Sequence, residues 1–345
     1  MRLTLFHLPG TMGLSRTQAN AEEDVKGTMI IDAHTYSFDR ICGVTQYGVA
    51  RSLGYGLADF GANRLYRFLP PAFVDSTCPI ETLMAYMDWV GIDKAVLLTS
   101  NIYGYANEYL ADCVQRFPDR FVAVGSLDPL ASNSLETLEH LLLVLGSKGI
   151  NLHLGSHAGL LATRPEFRLD DQRLLELWKM LERQEATLVI DFGGSYGTPG
   201  HQLAELRVVL EACPDLKVVV SRLGFPPILN DGGWGADQDW HDLLDLAVVF
   251  NIWFDTAIFS FATALKAGTQ EYPYPALQEV FRRALDRIGP SKLIWGSDMP
   301  SVLCWATYSQ NLKWIEAEMS TLTRVEQNMV LWRNAAQAYG FQLGS

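Results

Sequence analysis

The chain has 345 residues and a formal net charge of −12, with a pI near 5.0. Hydrophobic residues make up 48% of it and charged residues 19%, which is typical of a soluble globular protein. The acidic balance argues against nucleic acid or an anionic membrane as the main partner, and leaves a small molecule as the expected one.

The first 28 residues are predicted to form an N-terminal arm in front of one domain at residues 29–345. They hold no sustained apolar core and turn polar at "SRTQANAEED", so we expect no secretory signal. The five cysteines are scattered and contain no CxxC pair, which favours a reduced, cytoplasmic protein. No apolar run is long enough to span a membrane.

Eight short, nearly all-apolar runs recur along the chain and predict strands buried on both faces. They are TMIIDA (28–33), KAVLLT (94–99), FVAVGSL (121–127), GINLHL (149–154), ATLVID (186–191), KVVVSR (217–222), VFNIWFD (249–255) and KLIWGSD (292–298). Amphipathic stretches predict helices at 108–118, 135–149, 171–184 and 202–214. The alternation favours an α/β fold of the closed (β/α)8 TIM-barrel type. An open doubly wound sheet is the alternative, but no GxGxxG or Walker motif follows an early strand.

Two long excursions interrupt this pattern, one after the first strand (38–80) and one after the sixth (224–243). Both are rich in aromatic residues, Gly and Pro. Connections that follow barrel strands lie on the C-terminal rim, where barrels keep their active sites. We therefore expect both excursions to cap or line a pocket.

Polar and charged residues stand where the predicted strands end. They are His34, Tyr36, His153, Asp191, Arg222 and Asp298. Residues at the C-terminal ends of barrel strands converge on one pocket, however far apart they lie in sequence. The sequence therefore predicts a single site that contains all six.

Several stretches resemble the amidohydrolase superfamily, in the branch known as amidohydrolase 2, over roughly residues 29–341. The stretches that carry the resemblance are IDAH (31–34), MDWVGIDKAVLL (87–98), NEYLADCVQRFPDRFVAVGSLDP (107–129), CPDLKVVVSRLGFP (213–226) and IWGSDMP (294–300). This branch groups hydrolases, lactonases and metal-dependent decarboxylases on a (β/α)8 barrel. The resemblance therefore implies an enzyme with its site at the strand ends.

The family's metal-binding pattern is changed at three of its five positions. It has His-x-His or Glu-x-His on the first strand, a His ending the fifth, a His ending the sixth and an Asp ending the eighth. His34 and Asp298 keep this pattern, whereas Tyr36, Asp191 and Arg222 replace the other histidines. A guanidinium stays protonated and has no lone pair for a metal. We therefore expect no metal and no other cofactor, with a divalent cation on His34, Asp191 and Asp298 as the open alternative.

The predicted function is hydrolysis of an ester, lactone or amide bond in a small carboxylated or carbonyl-bearing ring compound. Asp298 is the expected general base and Arg222 an electrostatic clamp. His34 and Tyr36 would hydrogen-bond to the reacting carbonyl, while Asp191 orients Arg222 or His34. The resemblance supports catalysis without a metal, because lactonases of this branch that open pyrone dicarboxylates are metal-independent.

Further residues are expected to contact the substrate, either at the pocket wall or by closing over a planar ring. They are His153, Tyr47, Tyr55, Phe60, Trp234 and Trp240. Because related barrels often associate, a homo-oligomer is possible.

Three other functions stay open on the same fold. One is non-oxidative decarboxylation of an aromatic acid, a reaction for which relatives depend on a metal. Another is isomerisation or dehydration by Asp298 and Tyr36 as a proton-transfer pair. The last is a catalytically silent protein that only binds its ligand. Product analysis would separate these functions from hydrolysis. Hydrolysis adds water, decarboxylation releases carbon dioxide, isomerisation leaves the mass unchanged, and a silent binding protein leaves its ligand unconverted.

Overall fold

A computed structural model describes residues 28–194, 197–227, 237–258 and 271–342. The predicted arm, residues 1–28, lies outside these ranges except for its last residue. All eight predicted strands form. They are β1 (Ile31–Tyr36), β2 (Lys94–Leu98), β3 (Phe121–Val124), β4 (Gly149–His153), β5 (Thr187–Asp191), β6 (Lys217–Val220), β7 (Ile252–Asp255) and β8 (Leu293–Ile294).

The strands run parallel and follow one another in chain order. β1 to β3 form one sheet and β4 to β8 a second. Two parallel bridges, Gly125 with Ile150 and Thr35 with Met299, join these sheets at both edges. The predicted (β/α)8 barrel is therefore confirmed.

Helices connect the strands and cover the outside of the barrel. They are α1 (Ile80–Val90), α2 (Asn107–Arg116), α3 (Ser134–Glu139), α4 (Leu175–Arg183), α5 (Leu203–Ala212), α6 (Gln238–Val249), α7 (Pro275–Ile288), α8 (Tyr308–Glu318), α9 (Arg324–Asn328) and α10 (Asn334–Tyr339). α4 shows why they form, since Leu177, Trp178 and Leu181 recur at helical spacing and are buried on one face. None of the described helices combines the length and apolarity that crossing a membrane requires.

The excursion after β1 folds into small antiparallel sheets. Its short strands are Val44–Thr45, Gly48–Val49, Arg51–Gly54, Leu57–Asp59 and Leu65–Arg67. Phe38 and Cys78 close its two ends by exchanging backbone hydrogen bonds of 2.9 and 3.0 Å. The Gln46 backbone N–H donates to the His157 carbonyl, in the loop after β4, at 3.0 Å. This bond ties the excursion to the C-terminal rim of the barrel.

The excursion after β6 is described only at its two ends, because residues 228–236, including Trp234, lie outside the described ranges. Its final residues, predicted as loop, are the first turns of α6. Trp240, Leu243 and Leu244 are buried there at helical spacing. The helix α6 therefore begins at Gln238, inside the predicted excursion 224–243.

Asp32 fixes the end of β8 against β1. It is fully buried, and its Oδ1 accepts the backbone N–H groups of His34 at 3.1 Å and Ser297 at 2.9 Å. Its Oδ2 accepts the hydroxyls of Ser297 and Tyr308, the latter at 2.7 Å. All of these donors are uncharged, so burial dominates and raises the Asp32 pKa to about 6. Asp32 thus holds Ser297, and with it the neighbouring Asp298, beside His34.

We expect Asp32 to make the protein less stable as the pH rises through 6. Because the folded state holds this proton more tightly than the unfolded chain, Asp32 favours folding most below its unfolded pKa of 3.8. By neutral pH the contribution of Asp32 to the free energy of unfolding has fallen by about 3 kcal/mol, because each pKa unit corresponds to about 1.4 kcal/mol. Asp32→Asn removes the titration, so its unfolding free energy relative to wild type should increase by most of that amount between about pH 4 and 7. Urea unfolding measures this, and pH profiles that run parallel for the two proteins would contradict it.

Candidate active site

Five of the predicted residues come together at the C-terminal end of the barrel. They are His34, Tyr36, Asp191, Arg222 and Asp298. Arg222 lies at the centre, where its Nε donates to Asp191 Oδ2 at 2.8 Å. Its Nη1 and Nη2 donate to Asp298 Oδ2 and Oδ1 at 2.9 and 3.1 Å. One guanidinium therefore bridges two carboxylates and binds Asp298 through both terminal nitrogens.

The backbone is strained at both members of this ion pair. Arg222 and Asp298 have φ values of 58° and 67°, in the left-handed region that side chains other than Gly seldom adopt. The turn is held in place, since the Arg222 backbone N–H donates to Asp255 Oδ1 and its Nη1 donates to the Ala257 carbonyl, both at 2.9 Å. Strain of this kind collects at functional sites, where the surrounding structure must maintain it.

His34 connects this ion pair to Tyr36 and to Asp255. Its Nδ1 lies 2.9 Å from Asp255 Oδ2, while its Nε2 lies 3.2 Å from the Tyr36 hydroxyl and 3.6 Å from Asp298 Oδ1. A Cβ at Gly296 would stand 2.8 Å from the His34 Cβ. Glycine is therefore needed where β8 runs into the site, because β1 approaches so closely.

The charges of these groups are set by burial and by their partners. Burial alone would raise the pKa of Asp191, but the Arg222 guanidinium outweighs it and holds that pKa at about 2. Burial alone would lower the pKa of His34, but the charge of Asp255 raises it above 6.5. Burial raises the pKa of Tyr36 far above its usual range. The site thus contains ionised carboxylates, a charged guanidinium and a phenol that keeps its proton.

His153 lies beside Asp191, its register partner on β5. Burial lowers the pKa of its imidazole, which therefore stays neutral. Ser221 precedes Arg222, and its buried hydroxyl has no hydrogen-bond partner among the described residues.

A chain of aromatic rings leads from the site into the excursion after β1. The Tyr36 ring lies 5.4 Å from Tyr103, which stacks on Phe38 at 4.5 Å. Phe38 lies 6.0 Å from Phe68, which in turn lies 6.4 Å from Phe60. Phe60 is therefore linked to Tyr36 through a connected series of aromatic rings.

The other rim residues lie farther from the charged group. Tyr47 stacks on His157 at 6.2 Å and has Arg64 over its ring at 3.8 Å, so it joins the excursion to the loop after β4. Tyr55 stands in a turn and is 62% exposed, so the structure does not bring it to the site. Trp240 is buried in α6, where its Nε1 donates to the Leu223 carbonyl at 2.7 Å. It supports the strained turn after β6 from within α6, and its place over a substrate stays a prediction.

Asp255 and Tyr103 were missed by the sequence prediction. Asp255 is the last residue of the predicted seventh strand VFNIWFD, the position that identified Asp191 on the fifth. Taking the last residue of every predicted strand as a candidate site residue would have identified Asp255. Tyr103 belongs to a short 3₁₀ turn after β2, and no sequence signal places its ring against Tyr36.

The residues present do not fit a divalent metal. Arg222 lies within hydrogen-bond distance of both Asp191 and Asp298, the carboxylates that a cation at this position would need. A guanidinium offers no lone pair, and its fixed charge would repel a second cation. The described residues contain no group of three or more metal-binding side chains arranged to hold an ion.

Solved structures of other proteins share this fold at low sequence identity. A probable 2-pyrone-4,6-dicarboxylic acid hydrolase from Acinetobacter baumannii, with citric acid bound, is 20% identical with a TM-score of 0.64; the match covers 90% of this chain and 99% of that one. An amidohydrolase from Burkholderia multivorans with bound zinc is 17% identical with a TM-score of 0.67, covering 91% and 100%. The 5-carboxyvanillate decarboxylase from Sphingomonas paucimobilis is 15% identical with a TM-score of 0.57, covering 92% and 100%.

A search of curated proteins finds no match to this chain. A family model described as Amidohydrolase (Amidohydro_2) matches residues 31–341, which is nearly all of the barrel. Members of this family are enzymes that include hydrolases and decarboxylases. The match extends from the start of β1 to beyond α10, so the chain belongs to the amidohydrolase family.

Proposed function

We propose that this protein is a hydrolase that opens an ester, lactone or amide bond in a small carbonyl-bearing ring compound without a catalytic metal. The observation that carries the proposal is the bidentate pair of Arg222 and Asp298 beside His34 and Tyr36. This group offers a carboxylate base, a fixed positive charge and hydrogen-bonding side chains within a few ångströms of one another. Metal-free hydrolysis of a carbonyl compound needs these three components.

Each step of the proposed reaction uses one of these groups. Water adds to the carbonyl carbon while Asp298 takes one of its protons. The carbonyl oxygen becomes an oxyanion, which Tyr36, held by His34, stabilises by a hydrogen bond and Arg222 stabilises by its charge. The carbon–oxygen or carbon–nitrogen bond then breaks, and the leaving atom receives the proton held by Asp298. The sum is the addition of one water, and Asp298 returns to its starting state.

The charge balance favours an uncharged substrate over a carboxylated one. Asp191, Asp255 and Asp298 supply three negative charges, whereas Arg222 and a protonated His34 supply two positive charges among the described residues. The donors of Arg222 seen here already serve Asp191, Asp298 and the Ala257 carbonyl. A substrate carboxylate would have to displace Asp298 to reach them, at the cost of a buried unpaired charge.

Proton transfer without hydrolysis is a second candidate, and one observation favours it. The Tyr36 hydroxyl and Asp298 Oδ1 both lie near His34 Nε2, at 3.2 and 3.6 Å. A phenol and a carboxylate linked through an imidazole could exchange protons with a bound ring compound, as an isomerase or dehydratase requires.

Product analysis decides between these functions. Purified protein is incubated with uncharged lactones and aryl esters, with their carboxylated counterparts and with hydroxybenzoic acids. The masses of the products are then measured by mass spectrometry. We expect an uncharged lactone to gain one water, with oxygen from isotopically labelled solvent in the new carboxylate. Loss of carbon dioxide, loss of water, or a changed structure of the same mass would contradict hydrolysis. Asp298→Asn protein is the matched control for a contaminating esterase.

A further inference from the structure

Asp255 is held by the protein through both of its carboxylate oxygens. It ends β7 and is fully buried. Its Oδ1 accepts the backbone N–H groups of Arg222 at 2.9 Å and Ala257 at 3.1 Å. Its Oδ2 accepts His34 Nδ1–H at 2.9 Å. Because both oxygens accept hydrogen bonds from the protein, this carboxylate is fixed in orientation.

The His34 ring is fixed in turn by Asp255 and by its packing. Gly296 leaves room for the His34 Cβ on one side, and the Tyr36 ring lies edge-on to the imidazole at 5.4 Å. A carboxylate acts only as an acceptor when ionised, so the hydrogen on Nδ1 belongs to the bond with Asp255. The remaining ring nitrogen, Nε2, is directed at the Tyr36 hydroxyl at 3.2 Å. The three side chains thus form one line from carboxylate to imidazole to phenol.

We propose that Asp255 is a positioning residue that holds a protonated His34 through Nδ1–H, so that Nε2–H donates to the Tyr36 oxygen and the Tyr36 hydroxyl donates its own proton to the reacting carbonyl oxygen. This inference rests on the proposed function for its chemistry. The arrangement also links the two halves of the site, because the same carboxylate holds the backbone of Arg222. A group held in advance stabilises the oxyanion without reorganising during the reaction.

A double-mutant cycle tests this role. Asp255→Asn should lower kcat by about 10- to 100-fold, by analogy with the loss found when the partner that orients a metal-binding imidazole is removed. The KM should change little, because Asp255 does not contact substrate. If Asp255 acts through Tyr36, the substitution should have almost no further effect on kcat in a Tyr36→Phe background. A loss of the same size in both backgrounds would overturn the inference.

Asp93→Asn is the matched control. The Asp93 carboxylate also binds a backbone N–H at the β1 side of the barrel, that of Ile30 at 2.8 Å, but at the opposite end from the site. Its substitution should leave kcat unchanged. A loss of kcat with Asp93→Asn as large as that with Asp255→Asn would show a general effect of removing such a carboxylate, and would overturn the positioning role.

Nitrogen NMR on protein labelled at its seven histidines gives a second readout that needs no substrate. His34→Gln assigns the His34 signals. We expect Nδ1 of His34 to carry a hydrogen-bonded proton whose signal moves or vanishes in Asp255→Asn. If that variant does not fold, Tyr36→Phe should shift Nε2 and leave Nδ1–H in place. A His34 protonated on Nε2 alone would overturn the inference. Failure of every substrate would instead overturn the proposed function, since the NMR result does not depend on turnover.

Discussion

Asp298→Asn is expected to lower kcat by about 100- to 10,000-fold, which is the usual contribution of a general base. The Asp298 carboxylate is buried, is held by Arg222 at 2.9 and 3.1 Å, and lies 3.6 Å from His34 Nε2. An amide at this position can still accept from Arg222, but it cannot take a proton from water. Steady-state kinetics on the substrate identified by product analysis measures the loss, and KM should stay close to its wild-type value.

Asparagine is the appropriate replacement because the backbone at residue 298 has a φ of 67°. Asn tolerates the left-handed region better than most residues, so the substitution should add little strain. A melting temperature close to that of wild type would show that the fold is kept. Turnover at the parent rate in a folded Asp298→Asn protein would mean that another group is the base.

Arg222→Met is expected to destabilise the protein by about 3 to 5 kcal/mol, because it leaves two buried carboxylates without their counter-charge. Asp191 and Asp298 have side chains that are 3% and 2% exposed, so water cannot compensate for the loss. The loss of unfolding free energy caused by Arg222→Met should be smaller in an Asp298→Asn background, where one of these carboxylate charges is already absent. Urea unfolding of the four proteins measures this coupling. Equal costs in both backgrounds would show that the pair is not coupled.

Arg222→Lys keeps the charge and tests the shape of the donor. A lysine ammonium is a point charge on a flexible stem, so it cannot bind Asp298 through two parallel bonds while also holding Asp191. We expect the variant to fold with a stability closer to wild type than Arg222→Met, but with a clearly lower kcat. Wild-type kcat with lysine would show that only the charge matters.

The barrel could be predicted from the sequence because strands buried on both faces are nearly all apolar. The predicted run 217–222 contains the observed β6, Lys217–Val220, and the run 149–154 contains β4, Gly149–His153. The fold also predicts that Asp191, Arg222 and Asp298 lie close together, because the ends of parallel strands in a barrel converge. Their pairing also followed from their charges, because a buried guanidinium needs carboxylates nearby.

The rim could not be predicted in the same way, because its side chains are oriented by turns rather than by strand ends. Tyr55 points to solvent from a turn in which its own φ is 52°. Trp240 faces the barrel because its spacing with Leu243 and Leu244 is that of a helix, a pattern hidden in a segment first interpreted as loop. Asp255 ends the predicted strand 249–255, but the metal-binding pattern considered in the sequence names positions only on the first, fifth, sixth and eighth strands.

The central claim is that Arg222 takes the place of a metal in a working hydrolase, and turnover by metal-depleted protein tests it most directly. Protein is dialysed against a chelator, its zinc and manganese content is measured, and the rate of opening of the uncharged lactone is compared with that of untreated protein. We predict well under one equivalent of metal per chain and an unchanged rate. A stoichiometric metal whose removal abolishes activity and whose return restores it would contradict the claim.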